Sequence, residues 1–244
     1  NANATSRASD AQHRMRWLLL SGGVLLLLLE NWWWGGSVTG VDSAFQWVSA
    51  LGTAGFQSAN LHWWSPTGHL LLSLALIIGG AAGSAAGGVK QVRIALLYQG
   101  LLWRFRHIRQ QPHQLTRYVF EGESLEEGEA TRMVQNAGVL AALWAVVLWS
   151  AVLILLHVVP EGYSLSEVIL EVTSAQGNVG LSTGITHPDL PWLGKLTLIL
   201  CMWMGRLEII PSFILLSAFF SYLRRPFLDS GPVSQKAGNQ SQDD

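Results

Sequence analysis

The sequence predicts an all-α membrane protein, and three observations support this fold class. Half of the 244 residues are hydrophobic and 13% are charged, whereas a soluble domain carries about 25% charged residues. Several apolar segments approach or exceed the roughly 20 helical residues that cross a bilayer. One glycine-containing stretch between such segments occurs twice. These features predict two repeats, each consisting of a membrane helix, a short re-entrant helix with a loop, and a second membrane helix.

The repeated stretch begins at Ser49 and returns at Ser174, 125 residues later, as SALGTAGF and SAQGNVGL. The same offset relates three further pairs: His62 and His187, Pro66 and Pro191, and Gly80 and Gly205. A shared register over this distance indicates an internal duplication.

Each copy begins within the last residues of a helical segment that is too short to span a membrane. These segments lie at residues 42–51 and 165–175. We therefore predict two re-entrant hairpins, in which a half-helix enters the membrane and a glycine-bearing loop leaves it. Non-helical backbone at membrane depth is tolerated where it lines a wet cavity or is buried in protein. Glycine lets the loop carbonyls turn to one side, and these carbonyls and the helix C-termini would favour a cation. The structural alternative is a glycine turn between packed helices.

The positions of the charges predict the orientation of the chain. Arginine and lysine lie before the first apolar segment, in the middle of the chain and after the last segment, and only Lys195 and Arg206 lie elsewhere. The positive-inside rule therefore places both termini and the central connection in the cytoplasm. Residues 1–12 are polar and suggest disorder. We expect no secretory signal, because no small-residue cleavage pattern follows the first apolar run. Because the chain begins with Asn1, we expect a fragment or one part of a longer polypeptide.

The first repeat is predicted at residues 17–103, after a cytoplasmic segment at residues 1–16. Its first span covers residues 17–34, and its second begins at residue 67 but meets the glycine run at residues 79–88. A glycine inside a helix costs roughly 1 kcal/mol relative to alanine, so we predict an unwound segment there and a new helix from Lys90. The alternative is a continuous helix in which Gly79, Gly83 and Gly87 form a small-residue packing face.

A polar cytoplasmic connection is predicted at residues 104–136, followed by the second repeat at residues 137–225 and a disordered tail at residues 226–244. The spans of this repeat are predicted at residues 137–159 and 192–223. Arg206 lies within the last segment. An arginine at membrane depth costs about 2.5–3.5 kcal/mol on insertion scales and normally faces a cavity or a partner. It either pairs with Glu208 to lock helix packing or lies beneath the second loop, at the depth of the glycine run.

These residues resemble the Trk/Ktr/HKT superfamily of potassium transporters, specifically the bacterial Trk-type membrane subunit. GGAAGSAAGGVK at residues 79–90 resembles the intramembrane gating loop of the third repeat of that family. GNVGLSTG at residues 177–184 resembles the fourth selectivity filter, and MGRLE at residues 204–208 resembles the arginine motif of the fourth repeat. The resemblance covers residues 17–225 and implies repeats three and four, the C-terminal half of a four-repeat K⁺-channel-like pore.

The resemblance also implies roles for individual positions. The filter backbone would be supplied by Thr53, Ala54, Gly55 and Phe56 of repeat three and by Asn178, Val179, Gly180 and Leu181 of repeat four. K⁺, as the transported ion, would contact the backbone carbonyls of Thr53, Ala54, Gly55, Asn178, Val179 and Gly180. The gate below the filter would comprise Gly79, Gly80, Gly83, Ser84, Gly87, Gly88 and Arg206. No cofactor is implied for this chain.

The resemblance further implies potassium uptake across the cytoplasmic (inner) membrane, contact with lipid, a homodimer and a cytoplasmic nucleotide-binding regulatory ring, with no role for nucleic acid. Two departures stand out. Asn178 replaces a more usual threonine, and repeats one and two are absent from the sequence. Two loops cannot close a four-sided filter, so further segments of the same polypeptide or another chain would complete it.

Single features are also compatible with other functions. GLSTG at residues 180–184 matches the serine-nucleophile pattern, with Ser182 as nucleophile and His187 nearby, but the required strand–turn–helix context is not predicted. A phosphate-binding loop fails because Val89 stands where that motif needs lysine. A non-conducting assembly subunit could pack against a partner through residues 79–88.

Overall fold

The computed structural model describes residues 2–34, 38–80, 87–109, 118–120 and 123–207. These residues form a helical structure, as the sequence predicts. In chain order its helices are α1 (Ala2–Trp34), α2 (Gly40–Leu51), a 3₁₀ turn (Leu61–Trp63), α3 (Pro66–Ile78), α4 (Gln91–Arg109), α5 (Glu127–Val158), α6 (Leu165–Gln176) and α7 (Trp192–Leu207).

A small antiparallel hairpin lies between α4 and α5, within the connection that is predicted from sequence only as polar. Its strands are β1 (Tyr118–Phe120) and β2 (Glu123–Leu125), with Val119 opposite Ser124. Aromatic and β-branched residues such as those of β1 favour extended backbone. The hairpin is therefore a local addition to a helical protein.

Two helices begin earlier than the sequence suggests. Residues 2–12 belong to α1, so the expectation of disorder is wrong for them; this segment is rich in alanine, the residue with the highest helix propensity. α5 begins at Glu127 rather than at residue 137. Glu127 and Glu129 lie in its first turn, where the helix dipole favours negative charge.

Membrane-spanning length is met most clearly by α5. Among the described helices, α5 is the one that is both long and apolar enough to cross a membrane, and Trp17–Trp33 and Pro66–Ile78 are shorter apolar helices. Large apolar side chains are exposed along the outer faces of α1, α5 and α7, including Leu25, Val146 and Ile199. Such faces suit a lipid environment better than water.

The short helices α2 and α6 are packed inside the bundle. α2 contacts α1 and α3, whereas α6 contacts α3, α5 and α7. Leu170 on α6 belongs to the apolar cluster that contains Trp47 and Leu72, and Val168 and Val172 belong to a second cluster that contains Leu148. α6 therefore has two buried faces and joins the two halves of the structure.

Both short helices start with the same cap. The side chain of Thr39 accepts a hydrogen bond from the backbone N–H of Asp42, and that of Ser164 accepts one from the N–H of Glu167. These residues are again related by the 125-residue offset. Side-chain caps satisfy backbone donors that have no partner within the helix, so each copy fixes its short helix in the same way.

The glycine run interrupts the second apolar segment of the first half. α3 ends at Ile78, and both Gly79 (φ 67°) and Gly88 (φ 84°) are left-handed. The N–H of Val89 donates to the Ile77 carbonyl at 2.9 Å, and the N–H of Gln91 donates to the Gly80 carbonyl at 3.2 Å. The alternative of one continuous helix through Gly79 and Gly87 is therefore wrong at both ends of the run.

Candidate functional site

The loops that follow α2 and α6 are built by matching backbone hydrogen bonds. We call residues 52–57 the first loop and residues 177–182 the second loop. In the first loop, the bonds run from Gly52 N to Val48 O (2.9 Å), from Thr53 N to Ala50 O (3.1 Å) and from Ala54 N to Ser49 O (2.9 Å). In the second loop, the equivalent bonds run from Gly177 N to Thr173 O (2.8 Å), from Asn178 N to Ala175 O (3.0 Å) and from Val179 N to Ser174 O (2.9 Å). The sequence duplication is thus accompanied by a duplicated loop geometry.

Both loops alternate between left-handed and other backbone conformations. Thr53 (φ 51°) and Asn178 (φ 53°) are left-handed, and so are Gly55 (φ 75°) and Gly180 (φ 99°). A left-handed conformation costs about 1–2 kcal/mol for a residue with a Cβ atom, so two non-glycine cases at equivalent positions are unlikely by chance. Left-handed residues allow the carbonyl groups of a loop to turn toward one side, an arrangement that can coordinate a dehydrated cation.

The first loop contacts the second at Gly55. A Cβ atom added to Gly55 would lie 1.9 Å from the carbonyl oxygen of Val179. No described atom lies within 4 Å of the corresponding Cβ position at Gly180. The first loop therefore abuts the second, while the second borders open space at the equivalent glycine.

The last predicted member of each loop differs in its surroundings. Phe56 is 70% exposed, whereas Leu181 is 1% exposed. The carbonyl of Phe56 accepts a hydrogen bond from Ser49 Oγ at 2.7 Å, and Ser174 Oγ, at the equivalent position, accepts one from the N–H of Gly180 at 3.1 Å. The same serine thus supports each loop, but through a different backbone group.

A side-chain bridge also joins the loops. Gln57 Nε2 donates to the Ser182 carbonyl at 2.9 Å, and the Ser182 N–H approaches Gln57 Oε1 at 3.5 Å. Gln57 and Ser182 are themselves 125 residues apart. The two copies therefore meet at equivalent positions, in addition to their contact at Gly55.

A buried carboxylate that the sequence reasoning missed supports the second loop. Glu171 is 3% exposed and accepts five hydrogen bonds. The donors are Ser182 Oγ, Thr183 N, Thr183 Oγ1, Thr186 N and Thr186 Oγ1. The available signal was a glutamate flanked by the apolar residues Leu170 and Val172, because a buried carboxyl group requires hydrogen-bond partners.

One of the predicted gate residues, Gly87, lies against the C-terminal end of α6. A Cβ atom at Gly87 would lie 1.9 Å from the Gly177 carbonyl oxygen, and one at Gly79 would lie 2.3 Å from the Gly87 carbonyl oxygen. Gly80 is buried beside them. Gly83 and Ser84 lie outside the described residues. The Gly87 end of the run is thus in direct contact with the turn that begins the second loop, and Gly79 packs against Gly87.

The predicted arginine motif approaches the same turn from α7. A Cβ atom at Gly205 would lie 1.8 Å from the Gln176 carbonyl oxygen, and Asn178 Nδ2 donates to the Met202 carbonyl at 2.9 Å. Arg206 follows Gly205 in the last turn of α7 and is exposed. Glu208, its predicted alternative partner, lies outside the described residues.

A further contact joins the two halves near the start of α6. His62 Nδ1 lies 2.6 Å from Glu167 Oε1. Burial acts to raise the pKa of the Glu167 carboxyl, but hydrogen bonds from the Ser164 backbone and side chain and from His62 outweigh it and lower the pKa below its ordinary value. The charged form of the Glu167 carboxylate is therefore favoured, and His62 lies within hydrogen-bonding distance of it.

A cleft of about 360 Å³ opens beside the second loop. Its lining includes Glu171, Ser174, Asn178, Gly180, Leu198 and Met202. Polar groups of the second loop face apolar side chains of α7 across this space. The second loop is thus packed against the first loop on one side and is open on another.

The geometry does not support a serine nucleophile. Ser182 Oγ donates to Glu171 at 2.8 Å and accepts from the N–H of Gly184 at 3.0 Å. His187 Nδ1 instead lies 2.8 Å from the Ile185 carbonyl. The Ser182 hydroxyl is therefore bonded to a carboxylate and a backbone amide. It is not bonded to His187, which would have to act as the general base for a serine nucleophile.

Comparison with known proteins gives a consistent family. The family described as TrkH, cation transport protein, matches residues 36–221. An uncharacterized cation transporter of Methanocaldococcus jannaschii is 31% identical over 186 residues, which are 75% of this chain and 38% of that protein. The potassium/sodium uptake protein NtpJ of Enterococcus hirae is 31% identical over 157 residues, covering 64% of this chain and 33% of NtpJ.

A solved structure agrees with these relatives. The crystal structure of the potassium transporter TrkH from Vibrio parahaemolyticus is similar with a TM-score of 0.66 and 28% identity, over 86% of this chain and 44% of that chain. The chain thus spans less than half the length of these relatives. Because they are membrane transporters, the serine-enzyme alternative is set aside, and the chain is not an enzyme. The family match over residues 36–221 establishes that this chain belongs to the TrkH family of cation transport proteins.

Proposed function

We propose that this chain forms part of a potassium-transporting membrane protein and supplies two of its ion-binding loops. The observation that carries the proposal is the contact between Gly55 and the Val179 carbonyl, made by two loops with the same alternating backbone. A relative named as a potassium/sodium uptake protein and a similar solved structure of a potassium transporter support potassium as the ion.

In this proposal the backbone, rather than the side chains, binds the ion. The carbonyls of Thr53, Ala54, Gly55, Asn178, Val179 and Gly180 replace water around K⁺, which is the transported substrate. Carbonyl rings of this kind discriminate among cations through cavity size and through the number and strength of the dipoles. The C-terminal ends of α2 and α6 lead directly into the two loops and would add favourable negative potential there. Asn178 fits this role because its amide ties the loop to α7.

The gate proposal places a second control point beneath the second loop. Gly79, Gly87 and Gly88 make close backbone contacts within this chain, including the contact of Gly87 with Gly177. These contacts disfavour the alternative of an assembly subunit that packs against a partner through the same glycines. Residues 79–88 and Arg206 would change the access of ions to the second loop by moving relative to the end of α6.

Two loops enclose only part of an ion path, so the proposal includes completion by other segments. The cleft beside Gly180 and the exposed Phe56 mark sides of the loops where further loops would pack. They would come from repeats one and two, in the same polypeptide or in another chain. The C-terminal-half assignment, an inner-membrane location with cytoplasmic termini, a homodimer and a nucleotide-binding regulatory ring belong to this proposal as implications of the family resemblance.

Replacement of Gly180 by phenylalanine tests the proposal. We expect Gly180→Phe to reduce potassium uptake to the background of transport-deficient cells, because the ring would occupy the open space in front of the second loop. The measurement is growth at low potassium together with Rb⁺ uptake, with the complete transporter expressed.

The matched control is Gly162→Phe. Gly162 also has positive φ (122°), and no described atom lies within 4 Å of its Cβ position, but it precedes α6 and lies outside both loops. Both variants place the same side chain on a left-handed backbone. Because Gly162 lies outside the loops, Gly162→Phe should retain uptake. Normal uptake by Gly180→Phe would contradict the assignment of the second loop.

A further inference from the structure

We propose that Gln57 and Glu171 are positioning residues that fix the separation of the two loops at their ends and thereby set the discrimination among alkali cations. This inference rests on the proposed transport function. It concerns side chains that do not themselves contact the ion.

The first step is the bridge between the loops. Gln57 Nε2 donates to the Ser182 carbonyl at 2.9 Å, and its Oε1 lies 3.5 Å from the Ser182 N–H. One side-chain amide thus engages both backbone groups of a single residue, much as a neighbouring strand would. Because Gln57 directly follows Phe56 and Ser182 directly follows Leu181, the bridge ties the two loops where their ion-binding residues end.

The second step is the anchor of Ser182. Its hydroxyl donates to Glu171 at 2.8 Å, and the next residue, Thr183, donates its backbone N–H to the same carboxylate at 2.9 Å. Glu171 lies on α6, whose two faces are buried. Loss of a buried acceptor leaves its donors unsatisfied, which is destabilising. Ser182 is therefore held by the rigid part of the molecule.

The third step is the absence of an equivalent anchor behind the first loop. The position equivalent to Glu171 is Gln46, whose Nε2 reaches Ser58 Oγ at 3.4 Å. Gln46 Oε1 has no hydrogen-bond partner within the described part of the chain. A neutral amide with one long bond holds its loop less firmly than a carboxylate with five donors. The first loop is tied to α2 by the bond from Ser49 Oγ to the Phe56 carbonyl, whereas Gln57 ties it to the second loop.

The consequence for transport follows from how carbonyl sites discriminate. Preference among cations depends on the size of the carbonyl cage and on the number and strength of its dipoles. The contact of Gly55 with Val179 and the bridge from Gln57 to Ser182 are two points that define the distance between the loops. Removal of the bridge leaves one of them, so the cage adapts to ions of different radius and discriminates less.

The test measures uptake of Li⁺, Na⁺, K⁺ and Rb⁺ by proteoliposomes that contain the complete transporter. The variants are Gln57→Met, which keeps the side-chain length but removes both hydrogen bonds, and Glu171→Gln. The ratio between the best and the least transported cation should fall about fivefold in each, the factor that corresponds to one ordinary hydrogen bond. The controls Gln135→Met and Glu129→Gln, at exposed positions of α5, should leave the ratio unchanged.

The double variant distinguishes a shared brace from two separate effects. If Glu171 acts through Ser182 on Gln57, the combined change should equal the larger single change, whereas independent roles would multiply. An unchanged ratio in both single variants, with uptake intact, would overturn the brace while leaving the transport function in place. Absence of uptake by the unsubstituted protein would instead defeat the proposed function.

A measurement of cation binding tests the proposal even in a variant that no longer transports. A ligand that binds only the folded protein raises its unfolding temperature, so each cation should shift the unfolding temperature of the purified transporter by a different amount. We expect Gln57→Met to remain folded and to lose most of the difference between the four cations. Retention of the full difference in this variant would also overturn the brace.

Discussion

Gly55→Ala should abolish potassium uptake and lower the stability of the transporter by about 3 kcal/mol or more. The added methyl group would lie 1.9 Å from the Val179 carbonyl oxygen, on a backbone with φ of 75°. Neither atom belongs to a flexible side chain, so one loop must move away from the other. This movement would change the position of the carbonyls that we propose as ion ligands. Uptake of Rb⁺ and the unfolding temperature of the purified protein measure the two effects.

Gly180→Ala is the matched control for this change. Gly180 has a similar left-handed backbone (φ 99°), but no described atom lies within 4 Å of its Cβ position. It should therefore show the backbone strain without the collision, and it should keep more uptake and more stability than Gly55→Ala. Equal behaviour of the two variants would mean that the contact between the loops is not important for transport.

Gly205→Ala should destabilise the protein by about 3 kcal/mol, although alanine is normally favoured over glycine within a helix by about 1 kcal/mol. The sign is reversed because the new methyl group would lie 1.8 Å from the Gln176 carbonyl oxygen at the end of α6. α7 would then separate from the turn that holds the second loop, and uptake should fall with stability. Thermal unfolding and Rb⁺ uptake of the purified transporter provide the measurements.

The control for Gly205→Ala is Gly22→Ala in α1. No described atom lies within 4 Å of the Cβ position of Gly22. The preference for alanine over glycine within a helix should therefore make this variant at least as stable as the unsubstituted protein. If Gly205→Ala were also stabilising, α7 would not approach α6 as closely as the geometry indicates.

Much of the fold could be predicted because local sequence features determine it. The duplication predicted the short helices α2 and α6 with errors of two residues at most, since each follows a polar cap and ends before a glycine. The glycine run predicted the break after Ile78, because helix propensity and left-handed backbone act locally. The early start of α5 was missed because its first turns are polar and solvent-exposed, so hydrophobicity gives no signal there.

The candidate site was predicted in its backbone but not in its supporting side chains. Residues such as Gly55 and Gly180 belong to a repeated pattern and were found by it. Gln57 and Glu171 break the repeat, since their equivalents are Ser182 and Gln46. Their partners are distant in sequence or lie around a turn, so only the three-dimensional structure brings them together. The bridge between Gln57 and Ser182 could not be inferred from either copy alone.

The most direct test of the central claim is the position of a heavy alkali cation in crystals of the complete transporter. Rb⁺ or Tl⁺ substitutes for K⁺ and can be located by anomalous scattering. We predict that the ion lies within coordination distance of the backbone carbonyls of Thr53–Gly55 and Asn178–Gly180, with no side chain as ligand. An ion bound elsewhere along the transport path, with these carbonyls turned away from it, would contradict the account.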